Sequence, residues 1–150
     1  NDDSNLERLN RWSCAWNMFL DRPVFGWGAG TYQFEYAGFQ TSQLRTNINT
    51  NNADLGNAHS EYLGPLAEQG LLGLVGILAL LGATLHWGFK LQRTLKQGDD
   101  KRLAMAMFLG LITYFVHGIM NNFLDTDKAS APFWGFLAVL VLLDLKARED

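Results

Sequence analysis

Cysteine is almost absent from this 150-residue chain, and the single one, Cys14, cannot form a disulfide within it. Cysteine usage therefore does not indicate the redox compartment. The sequence also has no internal repeat and no low-complexity segment, which excludes a repeat architecture. Its net charge is only −3 and its mean hydropathy is near zero, values that on their own would suit one ordinary soluble domain.

Charged side chains are missing from three stretches, and this absence argues against a soluble domain. No Asp, Glu, Lys or Arg occurs in residues 71–89, 103–123 or 129–143, whereas residues 1–60 are polar and rich in Asn. A helix rises about 1.5 Å per residue, so about 20 residues cross a hydrocarbon core of about 30 Å. The sequence therefore predicts an all-α polytopic membrane protein with about three transmembrane helices.

The predicted membrane region covers residues 59–145, with spans near 71–89, 103–123 and 129–145. The third run is the shortest and carries Pro132 near its start and Asp144 near its end. A buried helix of a soluble core is the alternative for that run. We favour a span because the two runs beside it are too evenly apolar for the amphipathic helices of a soluble domain.

Positive charge is concentrated in two short segments. Basic residues occupy the loop over 90–102 and the tail over 146–150: Lys90, Arg93, Lys96, Lys101, Arg102, Lys146 and Arg148. Short loops rich in Lys and Arg stay on the cytoplasmic side. Alternation of the spans then places residues 1–60 and the loop over 124–130 outside, so that residues 1–60 form a periplasmic segment and 146–150 a cytoplasmic tail.

The chain begins with Asn1 and carries no signal peptide ahead of its outer segment. Residues 1–60 would need a preceding span to carry them across the membrane. We therefore expect the chain to be the C-terminal part of a longer polytopic protein.

The outer segment is predicted to start with a helix over residues 4–21. Ser4 and Glu7 have the spacing of a capping box, and Pro23 follows the helix. Apolar residues recur at helical intervals and are expected to pack against the membrane surface or the rest of the protein: Leu9, Trp12, Trp16, Phe19 and Leu20. Packing does not explain three arginines, of which the first two share one side of the helix: Arg8, Arg11 and Arg22.

A glycine-rich turn over residues 24–31 follows, in which Gly26, Gly28 and Gly30 alternate with other residues. Glycine allows positive φ, and the backbone amides of Gly28 and Gly30 could contact a phosphate. The turn lacks the spacing of a dinucleotide fingerprint and the Lys-Ser/Thr of a P-loop, so a plain tight turn is the simpler interpretation. A polar loop is predicted over 41–58.

The stretch that leads into the first span carries His59, Glu61 and Glu68. Glu61 and Glu68 are supporting candidates, although pairing of a helix-end carboxylate with an Arg is the plainer account. Pro65 is expected to kink or break the helix. Elsewhere, His86 is expected at the membrane interface, and His117 is expected to bond between helices. A zinc site from His59, Glu61 and His117 lacks metal-ligand spacing, so no metal and no cofactor are expected.

The stretches "RLNRWSCAWNMFLDRPVFGWGAGTYQFEY" and "AHSEYLGPLAEQGLLGL" together resemble the C-terminal part of the O-antigen ligase superfamily of membrane glycan ligases and polymerases. The first carries an Arg and a Trp four residues apart, Arg8 and Trp12, and then an RPxxGxGxG turn. The second carries a His followed by the pattern xxYLxxLxExGLxGL: His59, Tyr62, Leu63, Leu66, Glu68, Gly70, Leu71 and Gly73. Ser60 stands where the family often has Asn.

The resemblance implies transfer of a glycan from undecaprenyl pyrophosphate to an acceptor hydroxyl at the periplasmic face of the bacterial inner membrane. The acceptor is lipid A core, a growing glycan or a protein hydroxyl; membrane lipids are partners and nucleic acid is not. By residue-by-residue match, His59 is the catalytic base candidate and Arg8 the pyrophosphate ligand. Arg11 and Arg22, which the match does not cover, are further candidate pyrophosphate ligands beside Arg8. Such a metal-independent, inverting reaction suits His as a base and Arg as a phosphate ligand.

Two alternatives stay open. The chain could belong to a non-catalytic membrane module, such as a transporter half or a scaffold for glycan assembly, because broken helices with polar groups also occur in transporters. It could also belong to a protein O-oligosaccharyltransferase of the same superfamily. The arginines of the outer segment argue against the transporter.

Overall fold

The computed structural model describes residues 2–42, 56–124 and 126–149, without the side chains of Asp2, Asp3 and Asp127. Helix α1 is Asp2–Asp21, α2 is Tyr32–Glu35, α3 is Leu63–Thr94, α4 is Asp99–His117 and α5 is Asp127–Glu149, with a 3₁₀ turn at Tyr36–Phe39. These ranges contain no β-strand, and the predicted all-α fold is confirmed. The polar loop predicted over 41–58 lies largely outside the described residues.

The chain forms two compact units. The first contains residues 1–77 and 118–122, and the second contains residues 78–117 and 123–150. Every candidate site residue belongs to the first unit.

Helix α1 buries a face that includes Cys14, Ala15 and Met18 rather than its aromatic stripe. These three residues are fully buried and pack in a cluster with Tyr32 and Tyr36. Of the predicted packing stripe, three residues are exposed: Leu9, Trp16 and Leu20. The rings of the two tyrosines stack with their centres 5.4 Å apart. Ser4 lies inside α1 and not at its N-cap, because the helix begins at Asp2.

Helix α3 is broken at Gly70 and not at Pro65. Pro65 lies in the first turn, where a missing N–H removes no helical hydrogen bond. Gly70 has φ 64° and ψ −151°, a conformation that essentially only glycine adopts. The predicted kink therefore exists, but it lies five positions further along the chain.

The second unit contains the later part of α3 with α4 and α5. The ring of Phe108 lies against Gly88, so a β-carbon on that glycine would collide with it. The carboxylate of Asp144 is buried and accepts hydrogen bonds from Lys90 at 2.5 Å and from Arg148 at 2.6 Å. Buried charges require such partners.

Two of the described helices are long and apolar enough to cross a membrane: Leu63–Thr94 and Lys128–Glu149. The span predicted over 103–123 is not among them. Helix α4 ends at His117, and its first turn carries four charged residues: Asp99, Asp100, Lys101 and Arg102. Only part of that apolar run is therefore helical, and the structure supports two candidate spans where the sequence predicts about three.

Candidate active site

His59 occupies the short segment between Gly56 and the start of α3. Its φ is 47°, and no other non-glycine residue in the described ranges has a positive φ. The backbone N–H of His59 donates to Oδ1 of Asn57 at 3.1 Å. This side-chain-to-backbone bond over two residues resembles the Asx turns that Asn favours. His59 is half-buried, so its imidazole is partly withdrawn from water.

Ser60 lies just ahead of α3, which begins at Leu63. Its hydroxyl accepts the N–H of Tyr62 at 3.3 Å and the N–H of Leu63 at 3.4 Å. Asn and Ser side chains both accept backbone amides near the start of a helix, which gives a physical reason why either can follow His59. The adjacent Glu61 is buried, and its N–H donates to the carbonyl of Gly118 at 2.8 Å.

Arg11 is buried and makes three contacts. Its Nε donates to Glu7 Oε1 at 2.8 Å, and its Nη1 donates to the carbonyl of Asn57 at 3.2 Å. Its guanidinium carbon lies 5.5 Å from the centre of the Tyr36 ring. Because Arg11 is only 8% exposed, it is poorly placed to reach a phosphate from solvent. The geometry thus connects Arg11 to the His59 segment and not to a donor.

Arg8 differs from Arg11 in its described contacts. It is half-buried, and no hydrogen bond or ion pair joins it to any backbone or side-chain group that the structure describes. Glu7, the acid next to it in sequence, is already paired with Arg11. An arginine without an internal partner keeps its guanidinium donors available for an anion.

Both arginines act on the charge of His59. Burial lowers the pKa of His59 below its ordinary value, and the positive charges of Arg11 and Arg8 lower it further, while Glu7 opposes them. A lowered pKa keeps the imidazole neutral at neutral pH. His59 is therefore in the form that can accept a proton.

Arg22 lies apart from this group. It is exposed, its guanidinium lies 3.8 Å from the centre of the Trp27 ring, and its Nε is 3.9 Å from Asp21. The indole of Trp27 in turn donates to the carbonyl of Met18 at 3.1 Å. Stacking on Trp27 accounts for the position of Arg22 without a ligand.

The glycine-rich turn is bound to α3. The N–H of Gly28 donates to the carbonyl of Glu68 at 2.7 Å, and the N–H of Gly30 donates to the Glu68 carboxylate at 2.9 Å. The same carboxylate accepts the N–H of Tyr32 at 2.9 Å. With both amides taken, a phosphate cradle at Gly28 and Gly30 finds no support in this geometry. Among the described residues, the partners of the Glu68 carboxylate are these backbone amides, and no ion pair joins Glu68 to an Arg.

The turn also satisfies the backbone at the break in α3. Trp27 N–H donates to the carbonyl of Ala67 at 3.3 Å, and Leu71 N–H donates to the carbonyl of Pro23 at 2.8 Å. A broken helix leaves carbonyls and amides without intrahelical partners, and an apolar environment makes each one costly. The glycines of the turn let its backbone approach closely enough to supply those partners.

The remaining histidines lie in the second unit. His86 is exposed on α3, and His117 is exposed at the end of α4 with its ring 5.4 Å from that of Phe123. The described residues contain no group of three or more His, Cys, Asp or Glu that could hold a metal ion.

Sequence reasoning missed the roles of Asn57 and Glu7. The spacing of Glu7 and Arg11, four residues apart on a predicted helix, was a usable signal for an ion pair. Asn57, two residues before His59, was a usable signal for an Asx turn. Neither signal indicates that Arg11 reaches Asn57, because that contact joins positions 46 residues apart.

The fold and the site define a class of protein. It is a helical membrane protein that carries a histidine and arginines next to the start of a candidate transmembrane helix. The O-antigen ligase family model matches residues 1–78, which include every candidate site residue. The chain therefore belongs to the O-antigen ligase family, whose members are integral membrane proteins.

A curated relative is the teichuronic acid biosynthesis protein TuaE of Bacillus subtilis (strain 168). It is 25% identical over 142 residues, which cover 92% of this chain and 26% of TuaE. The chain thus spans about a quarter of the relative's length. No solved structure matches the chain.

Proposed function

We propose that the full-length protein transfers a glycan from undecaprenyl pyrophosphate to an acceptor hydroxyl at the periplasmic face of the bacterial inner membrane. Two residues carry this proposal. His59 is half-buried and has a lowered pKa, and Arg8, whose charge contributes to that lowering, has no hydrogen-bond or ion-pair partner among the described groups. The neutral imidazole of His59 suits removal of a proton from a hydroxyl, and the guanidinium of Arg8 suits binding of a phosphate anion. Family membership supports glycan transfer.

In the proposed reaction an imidazole nitrogen of His59 takes the proton of the acceptor hydroxyl. The hydroxyl oxygen forms a bond to the anomeric carbon, and the bond from that carbon to the pyrophosphate oxygen breaks. The electron pair leaves with undecaprenyl pyrophosphate, and His59 then releases its proton to water. Attack opposite to the leaving group inverts the anomeric centre, and no metal is required because Arg8 meets the developing negative charge.

The bidentate guanidinium of Arg8 suits pyrophosphate oxygens better than a point charge would. Arg11 and Arg22 are not proposed as ligands, since one is buried among protein partners and the other is stacked on Trp27. The relative's role in teichuronic acid biosynthesis favours a growing glycan as the acceptor over lipid A core or a protein hydroxyl.

The proposal is tested with the full-length protein in liposomes, a synthetic undecaprenyl-pyrophosphate glycan and an acceptor glycan. General-base catalysis is typically worth about 10²–10⁴-fold, so His59→Ala should lose that much transfer while retaining donor binding. His86→Ala is the matched control, since His86 is an exposed histidine of the second unit, and it should transfer at the parental rate. Transfer by His59→Ala at the parental rate and abundance would exclude the base role.

A further inference from the structure

We propose that Arg11 and Asn57 are positioning residues that hold His59 in its left-handed backbone conformation, and that Glu7 fixes Arg11 for this task. The inference deepens the proposed function and rests on His59 being the catalytic group. It assigns to Arg11 a role in orienting the base and not in binding the donor.

The backbone of His59 is the first observation. Residues other than glycine seldom adopt a positive φ, because the β-carbon approaches the backbone too closely, and Asn, Asp and His do so more often than the rest. A histidine at φ 47° persists only where its surroundings hold it there. Such outliers cluster at functional sites, where the conformation aims a side chain.

Asn57 connects His59 to α1 through its side-chain oxygen and its backbone carbonyl. Its side-chain oxygen accepts the N–H of His59 at 3.1 Å, and its backbone carbonyl accepts Nη1 of Arg11 at 3.2 Å. The position of His59 therefore depends on the position of the Asn57 backbone, which depends on Arg11.

Arg11 is itself fixed at both ends of its guanidinium. Nε donates to Glu7 at 2.8 Å while Nη1 reaches the Asn57 carbonyl, and the side chain is buried. A guanidinium offers donors in a rigid planar fork, whereas the ammonium of lysine is a point charge on a flexible stem. Lysine at this position would keep the charge and lose the two-point geometry.

The charges around His59 separate positioning from electrostatics. The charged groups that act on it are Arg11 and Arg8, which lower its pKa, and Glu7, which raises it. Arg11→Lys keeps the positive charge that, after burial, contributes to lowering the pKa of His59. Asn57→Ala removes an uncharged group and leaves all three charges in place.

The test measures kcat, the KM for the undecaprenyl-pyrophosphate donor, and the pH profile of the full-length protein. A displacement of about 1 Å at a reacting group can cost about a hundredfold. We expect kcat to fall about 10- to 100-fold in Arg11→Lys and in Asn57→Ala, with the donor KM and the acid limb of the pH profile unchanged. Asn57→Asp keeps the acceptor oxygen, so it should recover kcat at high pH, and its added negative charge should move the acid limb to higher pH.

Matched controls are Arg102→Lys, at an arginine 84% exposed in its side chain, and Asn17→Ala on α1. Both should keep the parental kcat. A raised donor KM with parental kcat in Arg11→Lys would make Arg11 a donor ligand and overturn the proposal. Parental kcat in both Arg11→Lys and Asn57→Ala would also overturn the positioning role. If His59→Ala were inactive in the same assay, the proposed function would still stand.

Asn57→Asp keeps the test decisive if another variant fails to fold. If Arg11→Lys does not accumulate in membranes, the comparison of Asn57→Ala with Asn57→Asp decides. Equal kcat in these two at high pH and parental abundance would overturn the positioning role.

Discussion

Replacing Gly70 with alanine tests the break in α3 directly. The residue has φ 64° and ψ −151°, and an added β-carbon would lie 2.5 Å from the carbonyl oxygen of Val24. Backbone strain of this kind costs about 1–3 kcal/mol, and forcing an extra methyl group into a packed site costs about 1–3 kcal/mol more. Gly70→Ala should therefore destabilise the protein by about 2–6 kcal/mol, a large share of a typical domain's stability.

A second glycine of the same helix provides the control. Gly76 has no atom within 4 Å of an added β-carbon, and its helical conformation suits alanine. Gly76→Ala should leave stability unchanged or raise it by about 0.5–1 kcal/mol, because alanine is the better helix former. The two substitutions are chemically identical and are expected to differ in sign.

Thermal unfolding of the detergent-purified full-length protein, followed by tryptophan fluorescence, measures both variants. Gly70→Ala should melt well below the parent, and Gly76→Ala at or above it. If Gly70→Ala unfolded at the parental temperature, the break would not depend on glycine, and the account of the turn as its backbone partner would be wrong.

Three further predictions concern the donor, the turn and the topology. Arg8→Ala should lower kcat/KM for the donor about a hundredfold or more, and Arg8→Lys should recover only part of it, because lysine lacks the bidentate fork; parental values would reduce Arg8 to a solvated side chain. Glu68→Ala should destabilise the protein by about 1.5–3 kcal/mol in thermal unfolding, and Glu68→Gln should destabilise it less, because the amide keeps one acceptor oxygen. Equal stability of the parent and both variants would show that the carboxylate does not stabilise the turn. In intact spheroplasts an impermeant thiol reagent should label a cysteine introduced at Ser42 but not one at Gln97. Cys14 should not react, since burial raises its pKa to about 11. The opposite labelling pattern would reverse the topology.

Local patterns in the sequence predicted the elements whose causes are local. Charge-free runs indicate helices, and the order of the motifs singles out His59 and Arg8. The absence of charge does not predict the length of α4, because residues 118–123 carry no charged side chain but are not helical.

The features that the sequence does not reveal depend on contacts between residues far apart in the chain. Glu68 reads as a helix-end carboxylate, but its partners are amides of a turn 36 and 38 residues away. The sequence places Arg8 and Arg11 on one helix face without distinguishing them, but within the described residues Glu7 and Asn57 bind Arg11 and not Arg8. Gly70 is one of several glycines in the run, and its non-helical backbone and the close approach of Pro23 and Val24 are not visible in the sequence.

The pH dependence of donor kcat/KM tests the central claim most directly. A base must be neutral to act, so transfer should rise as pH increases through the pKa of His59 and be complete above it. Because burial and the two arginines lower that pKa below its ordinary value of 6.5, the acid limb should fall below pH 6.5, and His59→Gln should abolish this limb along with most of the activity. A limb centred above pH 6.5, or an unchanged limb in His59→Gln, would contradict the account.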